Sequence, residues 1–236
     1  TDNLKSDEGE ILFSDGGEAE NILKMGVRFR EKLGFMPQYP GMYPNFTVER
    51  FMWYMAALKD VGSHLKGREK RKYIKSEIEN ILKAVELDDI PRRRIGALSG
   101  GMKQRLSLCT AVLGDPEILI LDEPTAGLDP KGRDKVLDEI HQYHEESGTT
   151  ILLVSHSMED IVKYADKVLV MNHGRLFCYE NTDVVFSRAR EIRQVGLDIP
   201  QITKLSHLLY ENGIDLGEDI YTVERAKERL LSILNK

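Results

Sequence analysis

Cysteine is scarce in this 236-residue chain, which contains only two. Cys109 and Cys178 stand far apart and form no C-x-x-C pattern, so the sequence offers neither a disulfide framework nor a cysteine-based metal site. Cys109 lies in an apolar run, where we expect a small buried thiol. This usage is typical of a protein from the reducing cytosol.

Long apolar runs and an excess of positive charge are also missing. No apolar run approaches the ~20 residues that a membrane-spanning helix needs, and the polar opening segment leads us to expect no signal peptide. Any membrane role should therefore depend on a partner. The net charge is −6 and the pI is about 5.6, which argues against a nucleic-acid partner because such proteins carry a basic surface.

The second half of the chain alternates between apolar runs and a helical pattern. Continuous apolar runs at 118–121 and 149–154 flank a polar helical segment at 131–146. Strands that are buried on both faces of a parallel sheet have this appearance. A further short strand is predicted to end at Pro37. The sequence therefore predicts an α/β fold.

Helical periodicity dominates between residues 46 and 97. Thr47 is a predicted N-cap, and Phe51 begins a set of apolar side chains at helical spacing. We interpret the methionine and aromatic residues of this first helix as core packing. A second helix is predicted over 68–86. The tail from residue 197 is predicted to form two short amphipathic helices, the second capped by Thr222.

Three carboxylates stand in the stretch LILDEPTAGLD, residues 119–129. Asp122 and Glu123 follow a buried strand, at the carboxyl end where open α/β sheets place their ligands. Asp122 could hold Mg²⁺ directly or through water, since hard cations take oxygen ligands. Glu123 could polarise a water for attack on a γ-phosphate. Many strands end in an acidic turn, so this pair alone is weak support.

The stretch LSGGM, residues 98–102, is a candidate anion site. Ser99 is a good N-cap, and Gly100 and Gly101 would let a ligand approach bare backbone N–H groups. The helix predicted over 102–112 would present the positive end of its dipole there. Taken alone, the same letters more often mark an ordinary turn into a helix.

Gln38 and His156 complete the set of candidates. Gln38 follows a strand and could reach a metal ion and a water, or bond the loop backbone. His156 follows the run at 149–154 and could contact a γ-phosphate, or cap the helix that starts at Ser157. Each residue has an ordinary structural alternative. Their order along the chain, together with both motifs, favours a nucleotide site.

The four segments together resemble the motifs of an ABC-transporter ATPase subunit. MPQ, LSGGMKQRL, ILILDEPTAGLD and LLVSH are similar to the Q-loop, signature, Walker B with D-loop, and H-loop of that family, and the similarity extends to about Glu180. The resemblance implies the P-loop NTPase three-layer sandwich with a helical subdomain. It also implies an enzyme that binds ATP and Mg²⁺ and hydrolyses ATP to power membrane transport.

The resemblance gives each candidate residue a role. Asp122 would serve Mg²⁺, Glu123 would be the general base, and His156 would contact the γ-phosphate. Gln38 would sense metal and nucleotide and couple to the membrane partner, and Asp129 would lie at the dimer interface. The signature would serve the nucleotide held by the opposite subunit through Ser99, Gly100, Gly101 and Met102. The family usually has Gln where this chain has Met102, which loses a side-chain contact but not the helix dipole.

Partners and organisation follow from the same resemblance. We expect a second ABC ATPase subunit and a transmembrane transporter subunit, at the cytoplasmic face of the cell membrane. The expected parts are a partial ATPase core with the Q-loop (1–45), a helical subdomain (46–97), a core with the remaining motifs (98–180) and a C-terminal helical extension (181–236). The N-terminal half resembles exporter and antibiotic-resistance ATPases, and the C-terminal half resembles energy-coupling factor ATPases of vitamin and metal-ion importers.

The G-x-x-x-x-G-K-[ST] loop of this family does not occur in the sequence. We therefore expect the fold to lack the Walker A strand and loop, the chain alone to bind ATP poorly, and the strand at 118–121 to lose a neighbour and expose an apolar edge. Two functions stay open. One is a transporter ATPase with a truncated N-terminus, favoured by the intact Gln38, Glu123 and His156. The other is a P-loop-less regulatory subunit that lends its signature to a partner's ATP site.

Overall fold

The computed structural model describes residues 8–14, 16–217 and 220–234. The chain forms two compact units, residues 1–154 and residues 155–236. The strands of the described part are β1 (Leu12–Phe13), β2 (Glu20–Asn21), β3 (Leu33–Met36), β4 (Ile118–Asp122), β5 (Thr150–Val154), β6 (Lys167–Asn172) and β7 (Arg175–Asn181). The helices are α1 (Ile22–Met25), α2 (Val27–Glu31), α3 (Val48–Leu58), α4 (Gly67–Ala84), α5 (Gly100–Val112), α6 (Pro130–Ser147), α7 (Met158–Tyr164), α8 (Thr182–Ser187), α9 (Ala189–Gln194), α10 (Gln201–Glu211) and α11 (Val223–Leu234).

A parallel sheet in the order β3-β4-β5 forms the centre of the first unit. Met36 pairs with Leu121, and Asp122 pairs with Val154. Met36, Leu119 and Leu121 are fully buried and lie on one face of the sheet. On the opposite face, Leu152 and Val154 are about half exposed. The expected burial on both faces is therefore not observed in the described part of the chain, although the predicted strands at the three positions are confirmed.

The free edges of this sheet do not lie on the strand for which an exposed edge was predicted. β4 has a partner on both sides, so the prediction that the strand at 118–121 loses a neighbour is wrong. The prediction failed because the order of strands along the chain does not give their order in space. In the part of the chain that the structure describes, both outer strands of this sheet, β3 and β5, have a free edge, and Leu152 and Val154 of β5 are 50% and 46% exposed.

The helical segment of the first unit is built from α3 and α4. Thr47 caps α3 as predicted, because its Oγ1 accepts a hydrogen bond of 3.2 Å from the Arg50 N–H. Phe51 and Met52 are buried, which confirms their interpretation as core, whereas Leu58 is exposed. On α4 the side chains that face inward recur at helical spacing: Ile74, Ile78 and Leu82.

The second unit contains the β6–β7 antiparallel hairpin and the helices that follow it. Its core joins Val168 and Val170 of the hairpin to Phe186 of α8 and Ile192 of α9. The two predicted tail helices are confirmed as α10 and α11, and Thr222 Oγ1 accepts from the Arg225 N–H at 3.3 Å. The short helices α8 and α9 were not predicted. No helix among the described residues is long and apolar enough to cross a membrane.

Candidate functional site

Asp122 ends the central strand β4, and Glu123 begins the turn that follows it. The backbone of Glu123 has a φ of +47°, a left-handed conformation that is uncommon for residues other than glycine. Its N–H donates to the Val154 carbonyl at 2.9 Å, and its carbonyl accepts from the Ala126 N–H at 3.0 Å. Backbone of this kind persists where surrounding bonds hold it, and it clusters at active sites. The turn thus places two half-buried carboxylates at the carboxyl edge of the sheet.

The turn continues as a loop, residues 123–129, which leads into α6. The Leu128 N–H donates to the Thr125 carbonyl at 3.2 Å. Asp129 is exposed and caps α6, because its Oδ1 accepts from the Gly132 N–H at 2.8 Å, and Pro130 follows at the first helical position. Asp129 therefore caps the start of this helix. Because its side chain is also exposed, this role is compatible with a contact at the protein surface.

The signature residues form the N-terminus of α5. Ser99 Oγ accepts from the Met102 N–H at 3.3 Å, as the N-cap prediction required, and the helix begins at Gly100, two residues earlier than predicted. A Cβ built on Gly100 would meet no described atom within 4 Å. The backbone N–H groups of this 13-residue helix are therefore accessible to an anion from outside the chain.

Two basic side chains hold the signature helix against the helical segment. Lys59, just after α3, donates from Nζ to the carbonyls of Ala111 and Leu113 at 2.9 and 3.0 Å, where α5 ends. Arg105 of α5 donates from Nη1 to the Val85 carbonyl at 2.7 Å. Burial lowers the pKa of Lys59 to about 8. Sequence reasoning missed both residues, because nothing in their spacing indicates partners that are 20 or more positions away.

The structure brings some of the predicted residues to one edge of the sheet. Gln38 follows β3 by two residues, and β3 lies beside β4, so Gln38 shares the carboxyl edge of the sheet with Asp122 and Glu123. Gln38 is half-buried. His156 is exposed and belongs to the second unit, two residues after β5.

The side chains at this edge of the sheet can be compared with the ligands that Mg²⁺ takes in nucleotide sites. Within the described ranges, no group of three or more His, Cys, Asp or Glu side chains could hold a metal ion. Mg²⁺ in nucleotide sites is usually held by one or two carboxylates, with phosphate and water oxygens completing the shell. Asp122 with the amide oxygen of Gln38 at the same edge fits that pattern.

A parallel sheet with carboxylates at its carboxyl edge, together with a glycine-opened signature helix, is the arrangement expected of an ABC-type ATPase. A sequence model of the family described as ABC transporter matches residues 1–126, more than half of the chain. The chain therefore belongs to the ABC transporter family, as an ATPase subunit whose hydrolysis of ATP is coupled to transport.

Its relatives are more specific. The energy-coupling factor transporter ATP-binding protein EcfA2 of Clostridium tetani is 40% identical over 234 residues, which cover 98% of this chain and 78% of that protein. The protein of the same name from Clostridium acetobutylicum is 38% identical over 235 residues, covering 98% and 79%. A solved structure of cbiO1 from Clostridium perfringens, described as part of the ABC transporter complex cbiONQ, is similar with a TM-score of 0.61 and 28% identity, covering 78% of this chain and 69% of that one.

These relatives confirm the predicted fold class and the ATPase activity, and they correct one detail. The expectation that the fold lacks the Walker A strand and loop is not borne out, since the family model matches residues 1–126 and the solved cbiO1 structure is similar over 78% of this chain. Both halves of the chain also align with one kind of relative, so a combination of two branches is not needed to explain the sequence.

Proposed function

We propose that this chain is the ATP-hydrolysing subunit of an energy-coupling factor transporter that imports vitamins or metal ions. The observation that carries the proposal is the 40% identity to an EcfA2 protein over 98% of the chain. The subunit would sit at the cytoplasmic face of the membrane, bound to a transmembrane subunit. The four parts 1–45, 46–97, 98–180 and 181–236 belong to this proposal.

A second ATPase subunit is the other proposed partner. An EcfA1 protein of Caldanaerobacter subterraneus is 40% identical over 158 residues, 66% of this chain, and an EcfA2 protein of the same organism is also similar. Two related ATPases named for the energy-coupling factor transporter therefore occur in one organism. The open N-terminus of α5 supports this pairing, because Gly100 presents bare backbone outward. Ser99, Gly100, Gly101 and Met102 would bind the phosphates of the partner's ATP, and Asp129 would lie at the interface.

The chemistry in this chain centres on Glu123. Its carboxylate would accept a proton from the water that attacks the γ-phosphate, as a positioned carboxylate can do. The Glu123 N–H donates to the Val154 carbonyl, and the Glu123 carbonyl accepts from the Ala126 N–H. These two hydrogen bonds would keep Glu123 in place between turnovers. His156 would contact the γ-phosphate from the segment that follows β5.

Asp122 and Gln38 are the proposed Mg²⁺ ligands. When bound, the ion would neutralise charge on the transferring phosphate. Asp122 contributes a carboxylate at the end of β4, and Gln38 contributes a neutral amide that can also orient water. Gln38 would further report the state of the site to the transmembrane subunit through the exposed segment that begins at Tyr39.

Reconstitution into membrane vesicles tests the proposal. The chain is combined with a second ATPase subunit and the transmembrane subunits of an energy-coupling factor transporter, and uptake of a labelled vitamin or cobalt ion is followed with and without ATP. ATP-dependent uptake is the expected result. Failure to assemble with these subunits, or ATP-dependent extrusion, would contradict the import function while leaving the ATPase assignment intact.

A further inference from the structure

Gln104 lies one turn into the signature helix α5 and is only 7% exposed. Its Nε2 donates to the carbonyl of Ala126 at 3.4 Å. Its Oε1 is buried and has no hydrogen-bond partner within the described ranges. A buried amide that is half satisfied is less stable than an apolar side chain of the same size. Packing alone therefore does not account for a glutamine at this position.

The partner of Gln104 is part of the turn that carries Glu123. The Ala126 N–H donates to the Glu123 carbonyl at 3.0 Å, and the Glu123 N–H donates to the Val154 carbonyl at 2.9 Å. Three hydrogen bonds thus run from the signature helix through Ala126 and Glu123 to the end of β5.

The same two segments also lie close together at Gly101 and Leu128. A Cβ built on Gly101 would lie 3.7 Å from Leu128 Cδ2, which is ordinary van der Waals contact. Leu128 belongs to the 123–129 loop, and its N–H donates to the Thr125 carbonyl. The signature helix therefore contacts this loop through the hydrogen bond from Gln104 to Ala126, and Leu128 lies close to the backbone of Gly101.

We propose that Gln104 is a positioning residue for Glu123, which it ties through Ala126 to the helix that presents Gly100 and Gly101. This inference rests on the proposed role of Glu123 as the base. Glu123 would serve the ATP bound by this chain, and the signature serves the ATP of the partner. Because the hydrogen bond at Ala126 makes the two segments move together, binding of ATP to the signature would change the position of the Glu123 carboxylate. The distance of 3.4 Å between Gln104 Nε2 and the Ala126 carbonyl oxygen is long for an N–H···O hydrogen bond, so this bond can shorten when the two segments approach each other.

Gln104→Met tests the tie, because methionine has a similar length and no N–H donor. Gln142→Met is the matched control, since Gln142 is exposed on α6 and donates to Glu146 Oε1 at 2.7 Å. Hydrogen exchange is measured at the amides of Ala126 and Leu128. We expect exchange there to be about fivefold faster in Gln104→Met, the change given by one lost hydrogen bond, and unchanged in Gln142→Met. Amides of β4 report any general loss of stability.

Turnover is measured in the subunit assembled with its transporter partners and expressed per bound nucleotide. Gln104→Met should lower kcat about tenfold and change KM for ATP less than about twofold, because misplacement of the base affects the chemical step and not ground-state binding. A merely structural role would reduce the amount of nucleotide bound and leave turnover per site unchanged.

The outcomes separate this inference from the proposed function. If hydrogen exchange at Ala126 and Leu128 is unchanged in Gln104→Met, the proposed link from Gln104 through Ala126 to Glu123 is wrong. If turnover per site is unchanged, the positioning role of Gln104 is wrong. If Glu123→Gln keeps wild-type turnover, the assignment of the base fails, and the positioning role fails with it. Faster exchange in Gln104→Met would then still support the hydrogen bond itself.

Discussion

Two glycines of the first unit have opposite surroundings. Gly100 opens the signature helix, and a Cβ there would meet no described atom within 4 Å. Gly34 lies in β3, where a Cβ would come within 2.5 Å of the Ala111 carbonyl oxygen. The lack of a side chain is therefore needed by the fold at Gly34, whereas at Gly100 it leaves open space that is available to a ligand or partner.

Gly100→Ala is expected to separate binding from stability. The methyl group has room in the isolated chain, and alanine is the better helix former by ~1 kcal/mol in a helix interior, so the free energy of unfolding should not fall. ATP hydrolysis by the assembled transporter should fall at least about tenfold, since the methyl group keeps a phosphate from the backbone N–H groups. Denaturant titration and phosphate release measure the two effects. Loss of stability with normal hydrolysis would contradict this role.

A carboxylate on α6 gives a prediction about pH. Both Oε atoms of Glu139 are buried without a hydrogen-bond partner in the part of the chain that the structure describes. Burial raises the pKa of Glu139 from 4.5 to about 6, against the opposing charges of Arg105 and Lys135. The folded chain therefore holds this proton more tightly than the unfolded chain, and ionisation lowers stability as pH rises from 4.5 to 6.

Glu139→Gln should accordingly stabilise the fold above pH 6. We expect a gain of up to about 1 kcal/mol at pH 7.5, reduced from the full linkage value because the side chain as a whole is only partly buried, and no gain below pH 4.5. Unfolding titrations at both pH values check this. The exposed Glu145→Gln is the control and should change little at either pH. An equal gain at both pH values would rule out ionisation as the cause.

At the scale of elements, β3 and α5 are packed more closely than a side chain at Gly34 allows. Besides the Ala111 carbonyl, a Cβ there would lie 2.7 Å from Leu119 Cδ1 and 2.9 Å from Pro116 Cγ. The helix that presents the signature thus rests directly on the backbone of the strand that leads to Gln38. Lys59 adds two hydrogen bonds at the end of the same helix.

Gly34→Ala should therefore destabilise the first unit. Overpacking against backbone is expected to lower the free energy of unfolding by about 1–3 kcal/mol. Gly41→Ala is the matched control, because a Cβ at Gly41 would meet no atom within 4 Å in the described ranges. Denaturant unfolding of both variants measures the difference. Equal stability of Gly34→Ala and wild type would show that α5 can move away from β3.

These elements also show what the sequence could and could not predict. Capping and periodicity predicted α3, α4 and α5 to within about two residues, because both signals are local. Sequence order did not predict that β4 lies between β3 and β5. The left-handed backbone of Glu123 and the bond from Gln104 to Ala126 depend on residues that are distant in sequence, so no local pattern indicated them.

At the scale of the whole molecule, the proposed roles assign parts of two different nucleotide sites to this one chain. Asp122 and Glu123 belong to the edge of its own sheet, while the signature helix opens outward at Gly100. Hydrolysis should therefore require a partner ATPase, and each subunit should supply the base for one site and the signature for the other. Gln104 is the proposed link between these two roles within one chain.

Hydrolysis by the assembled transporter with Glu123→Gln in this chain tests the central claim most directly. The substitution keeps the size of the side chain and removes its ability to accept the proton of the attacking water. We expect the rate of phosphate release at the site served by Glu123 to fall at least about 100-fold, with ATP binding retained, since general-base catalysis contributes a factor of this order. Wild-type hydrolysis at that site would contradict the account.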